Sequence, residues 1–342
     1  MSESDIVRVG MIGYGYWGPN LVRNFMEDHG ARVVAVCDAV PERLAKAQQR
    51  YPAIRAITRP DDLFAATDID AVVIATPVAS HFDLTLRALQ AGKHVLVEKP
   101  LAATSDQASR LIEEAARRRL IMMVDHTFIY TGAVRRMREL IESGDCGDII
   151  YYDSTRINLG LFQNDVDVMW DLAVHDLSIM DYVLRVNPAA VSATGMCHVS
   201  THLENVAYMT LFFPGTLIAH IHVSWLSPVK IRRTLVGGMQ KMIVYDDLEP
   251  SEKIKVYDKG IDLTSDPERR HQLMISYRAG DMWAPRLDTT EALAVEARHF
   301  VECIRTGSPP ITDGLSGLRV IRILEAATRS METRGQPVEL SI

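Results

Sequence analysis

The chain reads as an α/β protein in two parts: an N-terminal doubly wound parallel sheet, then an α+β domain built on a mixed or antiparallel open sheet. Three observations predict this. A glycine-rich turn, "GYGYWG", joins a β-branched strand directly to a helix. Strand-like and helix-like stretches then alternate up to about residue 127, which implies a parallel sheet with helices on its faces. From about Asp148 strand-like stretches follow one another with few helices between them, which implies antiparallel or mixed pairing. The boundaries expected are 1–127 and 128–342, with the last helices returning to pack on the first domain.

In order, "IVRVGMIG" is the first strand, and Gly13-Tyr14-Gly15-Tyr16-Trp17-Gly18 opens the first helix. The pattern G-x-G-x-x-G in a strand–turn–helix setting is the dinucleotide-binding fingerprint of a Rossmann fold. Gly13 allows the tight turn, Gly15 lets a pyrophosphate approach, and Gly18 lets helix and strand pack closely. The second strand, "ARVVAVC", ends at Asp38, about 20 residues beyond the turn, where an acid bonds the adenosine ribose. An acid there repels a 2′-phosphate, so NAD is expected before NADP; Arg43 nearby tempers that preference. Alone, Asp38 could equally be the N-cap of "PERLAKAQQR".

"IDAVVIATP", "HVLVEK" and "IMMVDHTF" are further core strands, separated by the helices "SHFDLTLRALQAG" and "SDQASRLIEEAARRRL". Ligands of such sheets lie beyond the C-terminal strand ends. Thr76-Pro77 and Glu98-Lys99-Pro100 end strands, so both should line the cofactor crevice, with Lys99 at the nicotinamide end. The cofactor set is therefore Gly13, Gly15, Tyr16, Trp17, Gly18, Asp38, Thr76, Pro77, His81, Glu98 and Lys99.

In the second part, "DIIYYDSTRIN", "AAVSATGMCHV", "ENVAYMTLFFPGTLIAHIHVSWLS", "KIRRTLVGG" and "KMIVYDD" read as strands, with Pro214-Gly215 as a hairpin turn. One helical stretch, "DVDVMWDLAVHDLSIMDYVLR", interrupts them. Its Asp171 and His175 are four apart, one turn along one face. A carboxylate beside an imidazole suits proton transfer, yet on spacing alone the pair reads as an ordinary intrahelical surface pair.

The 342 residues are 47% hydrophobic and 24% charged, with a net charge of −7. That is the balance of a soluble protein, and it gives no support for nucleic-acid binding. Cys37, Cys146, Cys197 and Cys303 have no paired short spacing, which argues against zinc sites and disulfides and fits a reducing cytoplasm. The start, "MSESDIVRVG", is no signal peptide, and no apolar run approaches a membrane span.

Gly13-Tyr14-Gly15-Tyr16-Trp17-Gly18, Glu98-Lys99-Pro100 and Asp171-x-x-x-His175 together resemble the Gfo/Idh/MocA oxidoreductase family, over essentially the whole chain. The resemblance implies an NAD-dependent sugar dehydrogenase in which Lys99 and His175 meet across the cleft with Asp171 beside them. It reverses the surface-pair reading. His175 would be general base, Lys99 would stabilise the developing alkoxide, and Asp171 would orient His175 or bond a sugar hydroxyl. Arg156 and Asn158, in "STRIN", join Lys99, Asp171 and His175 as substrate-side candidates.

The chain departs from the family pattern at the lead-in Val168-Met169-Trp170 and at Ser178; Asp176 and Asp181 are not carried over as catalytic. "VSWLSPVKIR" and "MISYRAGDMWAPRLDTTEAL" look most like bacterial nucleotide-sugar 3-dehydrogenases of the UDP-N-acetylglucosamine type. The substrate implied is a UDP-linked hexose oxidised at C3. An inositol or free-sugar dehydrogenase and an NAD-dependent glycosidase remain as alternatives. A homo-dimer or homo-tetramer is expected, because large apolar sheet faces seldom stay bare.

Overall fold

The computed structural model describes residues 6–160, 162–163, 166–199, 202–258, 260–262, 276–278 and 280–341. The polar start at 1–5, and residues 274, 275 and 279 of the "MISYRAGDMWAPRLDTTEAL" stretch, lie outside the described residues. The chain forms two compact units, residues 1–130 with 290–322, and residues 131–289 with 323–342.

Unit 1 runs β1 (Val7–Ile12), α1 (Gly18–Glu27), β2 (Ala31–Cys37), α2 (Pro41–Arg50), β3 (Arg55–Ile57), α3 (Pro60–Phe64), β4 (Ala71–Ile74), α4 (His81–Gln90), β5 (His94–Glu98), α5 (Ser105–Arg118) and β6 (Met122–Asp125). The strands form one parallel sheet in the order β3-β2-β1-β4-β5-β6. Val72, Val73, Val95, Leu96, Val97 and Met123 are wholly buried, as strands covered on both faces require. The order reverses between β1 and β4, the switch point at which such sheets hold their ligands. The edge strand β3 is an addition to the sequence reading: Arg55-Ala56-Ile57 is short and largely exposed, so no apolar run marks it.

Unit 2 runs α6 (Gly132–Glu142), β7 (Ile149–Leu159), a π-helical turn (Met169–Ala173), α7 (Val174–Leu184), β8 (Ala190–Met196), β9 (Val206–Phe212), β10 (Ile218–Ser224), β11 (Leu226–Gly238), β12 (Met242–Asp246), β13 (Ile254–Tyr257), the two-stranded pair β14 (Gly260–Asp262) and β15 (Ser276–Arg278), and β16 (Met282–Trp283). Then α8 (Ala292–Thr306) joins unit 1, α9 (Gly314–Glu332) is shared between the units, and β17 (Val338–Glu339) closes unit 2.

Among the described residues the large sheet has nine strands in the order β16-β13-β12-β11-β7-β10-β9-β8-β17. The β7–β10 pair is parallel and the rest antiparallel, so the sheet is mixed. Pro214-Gly215 lies in the β9–β10 hairpin, Gly215 at φ +84°. One face carries Ala207, Met209, Leu211, Ala219, Ile221 and Val223 into the core. The other leaves Tyr208, Phe212 and Ile218 exposed. Among the described residues no helix is long and apolar enough to cross a membrane.

Candidate functional site

The glycine turn follows β1. Gly13 sits at φ +96°, and a Cβ there would lie 2.4 Å from the Ala75 carbonyl oxygen. A Cβ on Gly18 would lie 2.2 Å from the Gly13 carbonyl oxygen. The chain's own backbone therefore demands these two glycines. Gly15 differs: its nearest neighbour is the Arg43 guanidinium at 3.8 Å, so this side is open to a ligand. No side chain caps the start of α1, where Trp17 holds the cap position. Pro19 has no N–H and the Asn20 and Leu21 amides bond the Trp17 carbonyl, so the Gly18 amide and the dipole end are what suit a pyrophosphate. The turn fits a dinucleotide.

Asp38 is 6% exposed and braces this turn. Its Oδ2 accepts from the Tyr14 amide at 2.7 Å, and its Oδ1 accepts from the Val40 amide at 2.8 Å. Arg43 lies 3.5 Å from the same carboxylate. Tyr16 projects into solvent, 91% exposed.

The next two strands bring their ends beside the turn, because β1, β4 and β5 are neighbours in one parallel sheet. After β4, Ser80 donates to the Pro77 carbonyl at 2.8 Å, so the Thr76 hydroxyl donates to Ser80 at 2.7 Å. After β5, Glu98 Oε2 accepts from the Lys99 amide at 3.1 Å. His81 is buried, its ring nitrogens 2.8 Å from the Pro100 carbonyl and 2.7 Å from the Thr76 carbonyl. The sequence-derived cofactor residues thus gather at one end of the unit 1 sheet, with Lys99 among them.

In unit 2, Asp167 caps the π-helical turn, its Oδ1 accepting from the Met169 and Trp170 amides at 2.8 and 3.0 Å. Burial, with smaller effects from Glu204 and Asp171, pushes the Asp167 carboxyl up to about 6. Asp171 lies on that turn and accepts from the Trp225 indole at 3.0 Å. His175 lies in the first turn of α7, so the two residues span a π-to-α junction rather than one regular α-helical face. Such π-helical turns recur at functional sites. Asn158 is half-buried near the end of β7.

Arg156 requires a correction. It is 3% exposed, and its Nε donates to Asp176 Oδ2 at 2.7 Å in a buried ion pair. Alternation along β7 buries Tyr152, Ser154 and Arg156 together, so this guanidinium is committed to the interior of unit 2.

Residues 7–126 match the model of an oxidoreductase family with an NAD-binding Rossmann fold, and residues 134–244 match the GFO/IDH/MocA C-terminal domain. The chain belongs to the Gfo/Idh/MocA family. It is similar to UDP-N-acetylglucosamine 3-dehydrogenase of Acidithiobacillus ferrooxidans, 29% identical over 92% of this chain and 94% of that protein. A solved structure of that enzyme covers 95% of this chain and 98% of its own, at TM-score 0.81 and 25% identity. The chain is also similar to scyllo-inositol 2-dehydrogenase (NAD(+)) of Bacillus subtilis, 24% identical over 98% of this chain and 96% of that protein.

Glu98 belongs to the sequence-derived cofactor set, but its two acidic neighbours had no sequence signal. Glu98 and Asp125 are register partners at the ends of β5 and β6, and Glu296 reaches them from α8. Glu296 is wholly buried, Asp125 is 2% exposed, and Glu98 Oε1 has no exposed surface. Burial first, and Asp125 second, push the Glu98 and Glu296 carboxyls well above the usual range. Asp125 accepts from the Trp17 indole at 3.2 Å and from the Thr127 hydroxyl. Burial and crowding thus keep Glu98 and Glu296 protonated beyond the ordinary carboxylate range, and the Trp17–Asp125 bond ties the glycine turn to the strand beside β5.

Proposed function

We propose that this oxidoreductase removes a hydride from a ring CH–OH of a sugar, C3 of a UDP-linked hexose derivative, with NAD as acceptor. The observation that carries the reading is the position of Lys99 directly after β5, on the sheet end that holds the glycine turn and the Thr76 loop. Bound NAD supplies the hydride acceptor. Gly15 and the start of α1 hold its pyrophosphate, and Asp38 favours an adenosine ribose without a 2′-phosphate.

His175 takes the hydroxyl proton, since an imidazole titrates near working pH. The Lys99 ammonium bonds the same oxygen and offsets its negative charge as the proton leaves. Asp171, held by the Trp225 indole, orients His175 or a neighbouring sugar hydroxyl. The exposed Tyr208, Phe212 and Ile218 support self-association through the open sheet face, readable by sedimentation.

The nucleotide-sugar reading draws on the Acidithiobacillus relative. The second reading, an inositol dehydrogenase, draws on the Bacillus relative, which matches almost the whole chain. NADH formation with UDP-hexoses against inositols separates them. Lys99→Ala and His175→Ala proteins that still bind NAD should lose turnover by at least about a hundredfold each. Near wild-type rates in both would discard the mechanism.

A further inference from the structure

His81 opens α4 with 1% of its surface exposed. Its Nδ1 lies 2.8 Å from the Pro100 carbonyl oxygen, and its Nε2 lies 2.7 Å from that of Thr76. Both of these acceptors are backbone carbonyls, which accept and never donate. A neutral imidazole has one N–H and one bare lone pair, so it satisfies only one of these contacts. The second would set a nitrogen lone pair against an oxygen lone pair in a buried site, where repulsion is poorly screened. The imidazolium donates to both.

We infer that His81 is a positioning residue, a doubly protonated clamp that ties the loop after β4 to the loop after β5 and so fixes the backbone on which Lys99 stands. Its importance for turnover rests on the reading of Lys99 proposed above; its bonding does not. Backbone pairing between β4 and β5 runs only from Ala71↔His94 to Ile74↔Val97, so the ladder stops short of both loops. Beyond that point a side chain has to hold them in register. The Thr76 and Ser80 hydroxyls are engaged within the first loop, and Glu98 Oε2 holds the Lys99 amide within the second. His81 bridges the two. Against its place in the sequence-derived cofactor set, His81 is buried with both ring nitrogens engaged by backbone, so it acts through backbone rather than on a ligand.

The protonation state is read directly by two-bond 1H–15N correlation spectra of the full chain labelled with 15N-histidine, the His81 pattern being assigned by its loss in His81→Asn. At about pH 7 both His81 ring nitrogens should resonate in the protonated position. One protonated and one bare nitrogen would overturn the clamp. This measurement needs no substrate, so it decides the bonding even if the proposed reaction is wrong.

The positioning role is read by NAD affinity and by turnover on whichever sugar the wild type oxidises. In His81→Asn and His81→Gln, NAD affinity should stay within about threefold while kcat falls about a hundredfold, the cost of displacing a reacting group by about 1 Å. Unchanged kcat, or weakened NAD binding with kcat intact at saturation, would overturn the role. Should Lys99→Ala leave turnover intact, the functional reading fails instead, and the spectra still judge the clamp.

Discussion

Replacing Asp176 by Asn should destabilise unit 2 by about 3–5 kcal/mol, the cost of stranding one charge of a buried pair. Arg156 and Asp176 are 3% and 2% exposed. The guanidinium Nε meets Oδ2 at 2.7 Å and Nη2 meets Oδ1 at 3.3 Å, while Ser154 donates to Oδ1 at 2.7 Å. Asparagine keeps the size and one acceptor, so Ser154 can retain its bond. The guanidinium, however, loses its bonded carboxylate in an interior lined by Tyr152 and Tyr245, where Asp247 acts on it less strongly than Asp176. The pair itself is worth far less than this penalty. Arg156→Met combined with Asp176→Leu should therefore recover most of the loss. Urea unfolding followed by tryptophan fluorescence suits the test, because Trp170 and Trp225 both lie in unit 2. At a slope of about 3 kcal/mol per molar, the Asp176→Asn midpoint should drop by about 1–1.7 M. A shift below about 0.2 M would mean a solvated pair, and would return Arg156 to the substrate side.

The buried carboxyl cluster and the glycine turn each give one more test. The raised Glu98 and Glu296 carboxyls hold protons in the folded chain where the unfolded chain, near 4.5, has lost them. Their contribution is thus full below that value and drains as pH rises towards the folded values. Glu296→Gln keeps the shape without titration, so as pH rises above about 5 its stability should fall less steeply than the wild type's. Parallel slopes in urea melts would remove Glu296 from the cluster. Asp38→Asn, which can still accept from the Tyr14 amide, should shift the ratio of kcat/KM for NAD over NADP towards NADP, since Arg43, 3.5 Å from that carboxylate, then stands beside a neutral amide. An unchanged ratio would take Asp38 off the ribose.

What was legible in the sequence depended on how local the physics is. Strands β1, β2, β4, β5 and β6 are largely buried and announce themselves as apolar runs, whereas Arg55-Ala56-Ile57 and the edge strands β16 and β17 are too short to do so. The glycine turn was readable because its backbone admits no side chain at Gly13 or Gly18. The carboxyl cluster was not, since it needs the register Glu98↔Asp125 together with a helix from far along the chain. The burial of Arg156 could have been found: two-residue periodicity places it on the same side as Tyr152, and a polar name obscured it. Nothing in the spacing of Asp171 and His175 signalled a π-helical turn.

Unit 1 is not a continuous stretch of chain, because α8 belongs to it. Phe300 of α8 meets Phe25 of α1 edge-on, with ring centroids 6.2 Å apart. A polypeptide ended after Tyr130 would therefore bare an aromatic surface and lose Glu296 from beside Asp125. During synthesis, the nucleotide-binding unit must wait, incomplete, until α8 has left the ribosome.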